Sequence, residues 1–287
     1  MSVRRPELAV RGPALLGEGP VWDAARGLLL WVDILGSRIH TLDPATGARV
    51  SWTAAQHVGA ALPRTRGGIV VNLRDGVGCY GPDGASFHWL HRRPLPGRRG
   101  NDAAVAPDGS LWAGTMAYDE RPGGGTLTRY PGADAAPEVV FPEVTVSNGL
   151  GWSPDGRTMY YVDTPTRRID ALTVRPDGSA TGRRPLITLE PGVGYPDGLT
   201  VDAAGCVWVA LWDGGAVRRY TPSGALDRIL PVPVGRPTSC AFGGRALRDL
   251  YVTTASLGAR SAAEPLAGAL LVVPDVGEGL PTTPFAG

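Results

Sequence analysis

Pro196-Asp197-Gly198-Leu199-Thr200-Val201, Asp202-Ala203-Ala204-Gly205 and Val207-Trp208-Val209 form an apolar run, a turn and a second apolar run in quick succession. Short runs rich in β-branched and aromatic residues, joined by Asp and Gly, read as an antiparallel hairpin. The same grammar recurs upstream. Ser147-Asn148-Gly149-Leu150-Gly151-Trp152 reaches Ser153-Pro154-Asp155-Gly156 and then Met159-Tyr160-Tyr161. Gly100-Asn101-Asp102-Ala103-Ala104-Val105 reaches Ala106-Pro107-Asp108-Gly109 and then Leu111-Trp112-Ala113, and Gly17-Glu18-Gly19-Pro20-Val21 leads to Leu30-Trp31-Val32.

Two more triplets, Ile69-Val70-Val71 and Leu250-Tyr251-Val252, complete a series whose central residues are 31, 70, 112, 160, 208 and 251. Their separations of 39, 42, 48, 48 and 43 use up the chain in six units. Third strands follow at Arg38-Ile39-His40-Thr41-Leu42, Thr126-Leu127-Thr128-Arg129-Tyr130, Arg168-Ile169-Asp170-Ala171-Leu172 and Ala216-Val217-Arg218-Arg219-Tyr220, each entering another turn. Four short antiparallel strands in such a unit make a propeller blade. The expectation is an all-β chain: a six-bladed β-propeller of four-stranded antiparallel blades, one domain over residues 1–287. A β-sandwich would not explain six equal repeats. Ring closure is expected to pair a strand around Glu7 to Val10 with strands near the C-terminus.

The composition agrees. Of 287 residues, 41 are glycine and 27 proline, too many breakers for long helices. The net charge of +1 and the dispersal of the 28 basic residues argue against nucleic acid or an anionic membrane as a partner. All 28 are arginine, so no Schiff-base, P-loop or general-base lysine can operate. Cys79, Cys206 and Cys240 are widely spaced, which disfavours a disulfide framework or thiolate zinc site. Met1 to Pro13 has no signal-peptide core and no stretch reaches transmembrane length, so a soluble, cytoplasmic protein is expected.

Repeats that stack around an axis bring equivalent positions together. Counted to the centre of the following triplet, Glu18, Asn101, Asn148 and Asp197 stand 13, 11, 12 and 11 residues upstream. The register also separates two kinds of Pro-Asp-Gly. At 82–84, 107–109, 154–156 and 176–178 the motif ends a strand and is a turn; at 196–198 it begins an inner strand, so Asp197 joins Glu18, Asn101 and Asn148 at one mouth of the channel. Glu18, Asn148 and Asp197 offer two carboxylates and an amide oxygen, a set suited to one hard divalent cation. Two close carboxylates repel unless a cation or proton lies between them. His40, His57, His88 and His91 show no metal-ligand spacing and read as structural or surface residues. Among the tryptophans, Trp212 beside Asp213-Gly214-Gly215 is the pocket candidate.

Gly-Glu18-Gly-Pro, Arg99-Gly100-Asn101-Asp102 with Gly114-Thr115-Met116, Ser147-Asn148-Gly149-Leu150 and Pro196-Asp197-Gly198 with Trp208-Val209-Ala210 occur in an order that resembles the senescence marker protein/gluconolactonase family, the regucalcin-like lactonases. Thr238-Ser239-Cys240-Ala241-Phe242-Gly243-Gly244 and Phe285-Ala286-Gly287 extend the resemblance over nearly the whole chain. It implies a six-bladed propeller holding one divalent ion (Ca, Zn, Mg, Mn or Fe(II)) through Glu18, Asn148 and Asp197, with Arg99 and Asn101 contacting substrate. Asp119 stands where relatives often carry a glutamate that touches sugar hydroxyls, and Ser256 where they often carry arginine.

The implied reaction is hydrolysis of a sugar lactone, such as gluconolactone or a pentonolactone, to the sugar acid, with Asp197 as catalytic base. Asp102 is left between a supporting role and a turn role. The alternatives are a non-enzymatic calcium-binding regulatory propeller and an esterase or phosphotriesterase on the same scaffold; fold alone does not separate them. Sequence does not determine the oligomeric state.

Overall fold

The structure, a computed structural model, describes residues 5–12, 14–259 and 263–287; part of the N-terminal stretch discussed above therefore lies outside the described residues. It contains six four-stranded antiparallel sheets arranged as a β-propeller, as the repeat spacing predicts. The first five blades occupy residues 17–53, 58–92, 98–144, 147–188 and 195–231, each in simple sequence order from the inner strand outward. The sixth combines Pro237–Gly243, Asp249–Thr254 and Leu270–Val273 with Glu7–Val10 as its outermost strand. Glu7 pairs with Val272 and Leu8 with Leu271, so the two ends of the chain close the ring. The single helical turn among the described residues, Thr164–Thr166, is 3-10, and no helix is long and apolar enough to cross a membrane.

Each triplet lies in the second strand of its blade and is buried on both faces, because the blades stack face to face. Side chains that alternate on the strand thus find apolar neighbours on either side. Trp208 packs with Phe242, Leu250 and Leu271 between the fifth and sixth blades. Its Nε1 donates to Asp202 Oδ2 at 2.9 Å, and the Arg219 guanidinium lies 5.6 Å from its ring centroid while pairing with the same carboxylate. Trp112 packs with Trp152, Met159 and Tyr161 between the third and fourth blades. The outermost strands carry the exposed apolar side chains Val50, Val139, Leu226 and Ile229.

Backbone angles bear out the separation of the Pro-Asp-Gly motifs. Gly84, Gly109, Gly156 and Gly178 have φ of +69°, +82°, +69° and +78°, the left-handed region that a turn glycine supplies. Gly198 lies inside Tyr195–Val201 and is required for a different reason: a Cβ there would sit 2.1 Å from Ser239 Oγ of the next blade.

Two outcomes are expected in denaturant unfolding. Trp208→Ala should lower stability by about 3–5 kcal/mol, the usual cost of emptying a large aromatic site. Gly198→Ala should cost roughly 1–3 kcal/mol through overpacking, and adding Ser239→Gly should recover part of that loss. Equal stability of Gly198→Ala and the parent would show that the blades do not approach as closely as described.

Candidate metal and substrate site

All six inner strands break register with their neighbours near the same end. The shifts fall between Glu18 and Val21, Val58 and Ala60, Gly100 and Ala103, Ser147 and Leu150, Pro196 and Leu199, and Pro237 and Ser239. A bulge places an extra residue in one strand and re-aims its side chain. The residues in or beside these six bulges are Glu18, Gly59, Asn101 with Asp102, Asn148, Asp197 and Thr238. The register inferred from four segments is therefore a repeated backbone device. The second blade contributes glycine because a Cβ at Gly59 would lie 2.2 Å from the Asn101 carbonyl oxygen. Gly149 answers the same constraint, with the Asp197 carbonyl 2.6 Å from its virtual Cβ.

Glu18, Arg99, Asn101, Asn148 and Asp197 are all buried, each no more than 7% exposed. Arg99 NH1 donates to Asn101 Oδ1 at 2.6 Å and to the Gly100 carbonyl at 3.0 Å. Asn101 Nδ2 donates to the Ser147 carbonyl at 2.9 Å and to Asn148 Oδ1 at 3.3 Å, which brings two of the aligned residues into direct contact. Asn148 Nδ2 donates to Thr164 Oγ1 at 2.9 Å, and Thr164 in turn donates to the Pro196 carbonyl at 2.9 Å. This chain fixes the Asn148 amide and ties it to the strand that carries Asp197. Glu18 Oε2 accepts the Gly19 N–H at 3.0 Å.

Three residues essential to this arrangement are absent from the sequence reading. Thr164 opens the short 3-10 turn Thr164–Thr166, with no motif around it. Asn72 is buried in Ile69–Leu73 and donates to the carbonyls of Asn101 at 3.0 Å and Gly114 at 2.8 Å. Its signal is one amide in an otherwise apolar strand, since buried polar groups need partners. Asp33 accepts from the backbone N–H groups of Leu15 and Leu16, each at 3.0 Å, and so holds the segment that leads into Glu18.

The electrostatics are those of buried carboxylates crowded around a single arginine. Burial raises the Glu18 carboxyl well above its usual range, and the charges of Asp197 and Asp102 raise it further, against Gly19 N–H and Arg99. Burial also raises Asp197 well above its range, reinforced by Asp102 and opposed by a hydrogen bond from Asn148, by Arg99 and by Gly198 N–H. Asp102 is pushed up to about 7 by burial, against a hydrogen bond from Ala103 N–H. Burial pulls Arg99 below its usual value, while Tyr118, Glu18, Glu120 and Asp197 push it back up.

A divalent cation fits this set. Asp197 Oδ1 is buried and has no hydrogen-bond partner among the described residues, the kind of orphaned acceptor that a bound ion satisfies. Two carboxylates and an amide oxygen provide hard donors. Among the described residues there is no group of three or more His, Cys, Asp or Glu arranged to hold a metal. A site here would therefore rely on the Asn148 amide as well as on Glu18 and Asp197.

The mouth above is formed by loops. Asp119 is not brought to the buried group: its side chain is exposed and pairs with Arg121 at 2.8 Å. Its neighbour Tyr118 instead points toward His57, with Oη 2.6 Å from His57 Nδ1, and both feel the charge of Arg99. Trp212 stands at a strand end under the Arg236 guanidinium, 4.7 Å from its ring centroid. Ser256 donates through Oγ to the Ala14 carbonyl at 2.8 Å and ties two rim segments together.

The raised acids set a stability test. Protonation of a group raised in the folded state favours folding below its unfolded pKa, and that stability is lost as pH rises through the folded value. Metal-stripped protein should therefore lose thermal stability as pH rises from Asp102's ordinary 3.8 through about 7. Asp102→Asn should make the decline shallower, and calcium should offset it. A flat thermal-shift profile over that window would contradict the buried carboxylate cluster.

Comparison with known proteins places this geometry. The chain is 38% identical over 266 residues to 6-deoxy-6-sulfogluconolactonase of Pseudomonas putida, covering 90% of this chain and 91% of that protein. It is 34% identical to regucalcin of Xenopus laevis over the full length of both. Among solved structures, the calcium-binding protein regucalcin of Agrobacterium tumefaciens superposes with a TM-score of 0.94 at 28% identity, covering 99% of this chain and 98% of that one. The model of the SMP-30/gluconolactonase/LRE-like region matches residues 16–256, an interval that runs through all six blades. The chain belongs to the SMP-30/gluconolactonase/LRE-like family.

Proposed function

We propose that the chain hydrolyses a sugar lactone to its sugar acid, at a site where Glu18, Asn148 and Asp197 hold one divalent cation. The observation that carries this reading is the orphaned Asp197 Oδ1 within a buried carboxylate pair beside a buried arginine. Membership of a family with lactonase relatives supports it, including the sulfogluconolactonase and a putative sugar lactone lactonase of Bacillus subtilis.

The bound cation would supply Lewis-acid polarisation of the lactone carbonyl. The chain does the rest. Arg99 has one nitrogen, NH1, committed to Asn101 and Gly100, leaving the rest of its fork to orient lactone oxygens. Asn101 is held by Arg99, Ser147 and Asn148, so it presents a fixed neutral edge to substrate. Asp197 takes the proton of the attacking water through the carboxylate oxygen that the cation leaves free. As the water oxygen bonds to the carbonyl carbon, the acyl–oxygen bond of the ring breaks, and the proton passes from Asp197 to the departing ring oxygen. The buried walls exclude other water from this exchange.

Asp119 would reach a substrate hydroxyl only after leaving Arg121, and its exposure makes that contact weak. A second reading, ion binding without catalysis, draws on the calcium-binding relative whose fold this chain shares. Pocket contacts alone do not separate the lactonase from an esterase or phosphotriesterase on this scaffold.

A pH-indicator assay with five- and six-membered aldonolactones, on stripped protein refilled with calcium, magnesium, manganese, zinc or ferrous ion, tests the proposal. Hydrolysis above background is expected with at least one metal; none with any metal would leave the ion-binding reading. Arg99→Ala should raise KM about tenfold or more, the loss of a charge-assisted hydrogen bond. Asp197→Asn should lower kcat about a hundredfold or more, as for loss of a general base. Asp197→Ala and Asn148→Ala should each weaken metal binding by calorimetry; unchanged affinity in both would remove the ligand assignment.

A further inference from the structure

Below the layer of bulges, on the side away from the mouth, the channel opens into a cavity of about 320 Å³. It reaches the lower-rim turns at Pro107, Ser153 and Pro154, and residues 280–283 line it. Those residues are the middle of a C-terminal strap. Gly279 pairs with Asp202 under the fifth blade, Phe285 pairs with Arg64 under the second, and Ala286 N–H donates to the Gly109 carbonyl at 3.0 Å under the third. Phe285 is fully buried against Leu62 and Leu111. The strap thus crosses the lower end of the channel and is fastened on both sides, leaving a chamber between itself and the bulges.

Among the described residues the chamber has one charged lining residue, Asp102, and no arginine or histidine. Asp102 Oδ1 accepts the adjacent Ala103 N–H at 2.8 Å, and among the described residues no cationic side chain pairs with this carboxylate. Trp22, Trp152, Phe242, Leu150, Leu199 and Leu280 are among the apolar residues of its wall. A concavity of roughly 300 Å³ or more, with apolar and aromatic walls and a few polar groups, is the usual form of a small-molecule site. The charge narrows the occupant. Asp102, with Glu18 and Asp197 beyond it, repels anions, and a divalent ion needs several oxygen ligands that one carboxylate and scattered hydroxyls do not provide. A small organic ammonium brings its own apolar body for the walls and N–H donors for the carboxylate.

We propose that this chamber is a second binding site, distinct from the mouth, for a small monovalent organic ammonium compound anchored on Asp102. The site is independent of whether the mouth hydrolyses lactones.

Calorimetric titration of the calcium-loaded protein with n-butylammonium, alongside 1-butanol and butyrate, tests this, with tryptophan fluorescence as a second readout of the Trp22 and Trp152 walls. Saturable one-to-one binding of the ammonium is expected, with both comparison compounds at least about tenfold weaker, as loss of a charge-assisted contact implies. Asp102→Asn should weaken binding by a similar factor. Ala241→Phe, which fills the chamber from the sixth blade without altering Asp102, should abolish it. That variant decides the matter if Asp102→Asn fails to fold. No saturable binding, equal binding of 1-butanol, or undiminished binding in either folded variant would overturn the proposal.

Discussion

Close approach of six inner strands around one axis is the constraint from which the rest follows. At the bulges the backbones of neighbouring blades come so near that Gly59, Gly149 and Gly198 have no room for a Cβ. The space left at the axis belongs to the side chains of Glu18, Asn101, Asn148 and Asp197, which each bulge turns inward. Loosening that contact would cost packing and also separate the donors. Shape and chemistry at the mouth are therefore one problem.

The solution creates an electrostatic debt that the protein alone does not settle. Burial raises the proton affinity of Glu18 and Asp197, Asp102 raises both further and Asp197 adds to the rise at Glu18, and Arg99 opposes the rise without cancelling it. Hydrogen bonds from Asn72, and to Thr164 and the Ser147 carbonyl, instead hold the neutral parts of the site: the Asn101 bulge, the Asn148 amide and the blade edges. Such a network limits how far the carboxylates can relax from each other. A fixed cluster of unneutralised oxygens is preorganised for a cation, because the repulsion is already present before the ion arrives.

The two faces of the channel differ for the same geometric reason. Above the bulges, strand ends and loops supply Arg99, His57, Tyr118 and Trp212, a polar and aromatic rim. Below them the inner strands continue with small and apolar residues toward the Asp-Gly turns, and the strap covers the end. Asp102 follows Asn101 within one bulge yet lines the chamber below. The bulge between Gly100 and Ala103 interrupts the ladder and re-aims the side chains in it, so neighbours in sequence meet different surroundings.

Strand number, blade order and ring closure were legible in the chain because each rests on local periodicity repeated six times: turn glycines, apolar triplets, and spacing near one blade. The shared register also located Glu18, Asn101, Asn148 and Asp197, and distinguished the Asp197 motif from four turns of the same spelling. What those residues touch was not legible. Thr164, Asn72 and Asp33 act through contacts between segments far apart in sequence, Asp119 turned to its neighbour Arg121, and Tyr118 met His57 across 61 residues. By itself the sequence determined the repeat and the chemistry available at each bulge, since both are properties of neighbouring residues. Only the tertiary structure decided which oxygens are buried and left without partners, and that a strap closes the far end, because burial and hydrogen bonding depend on surfaces that meet only when the ring is complete.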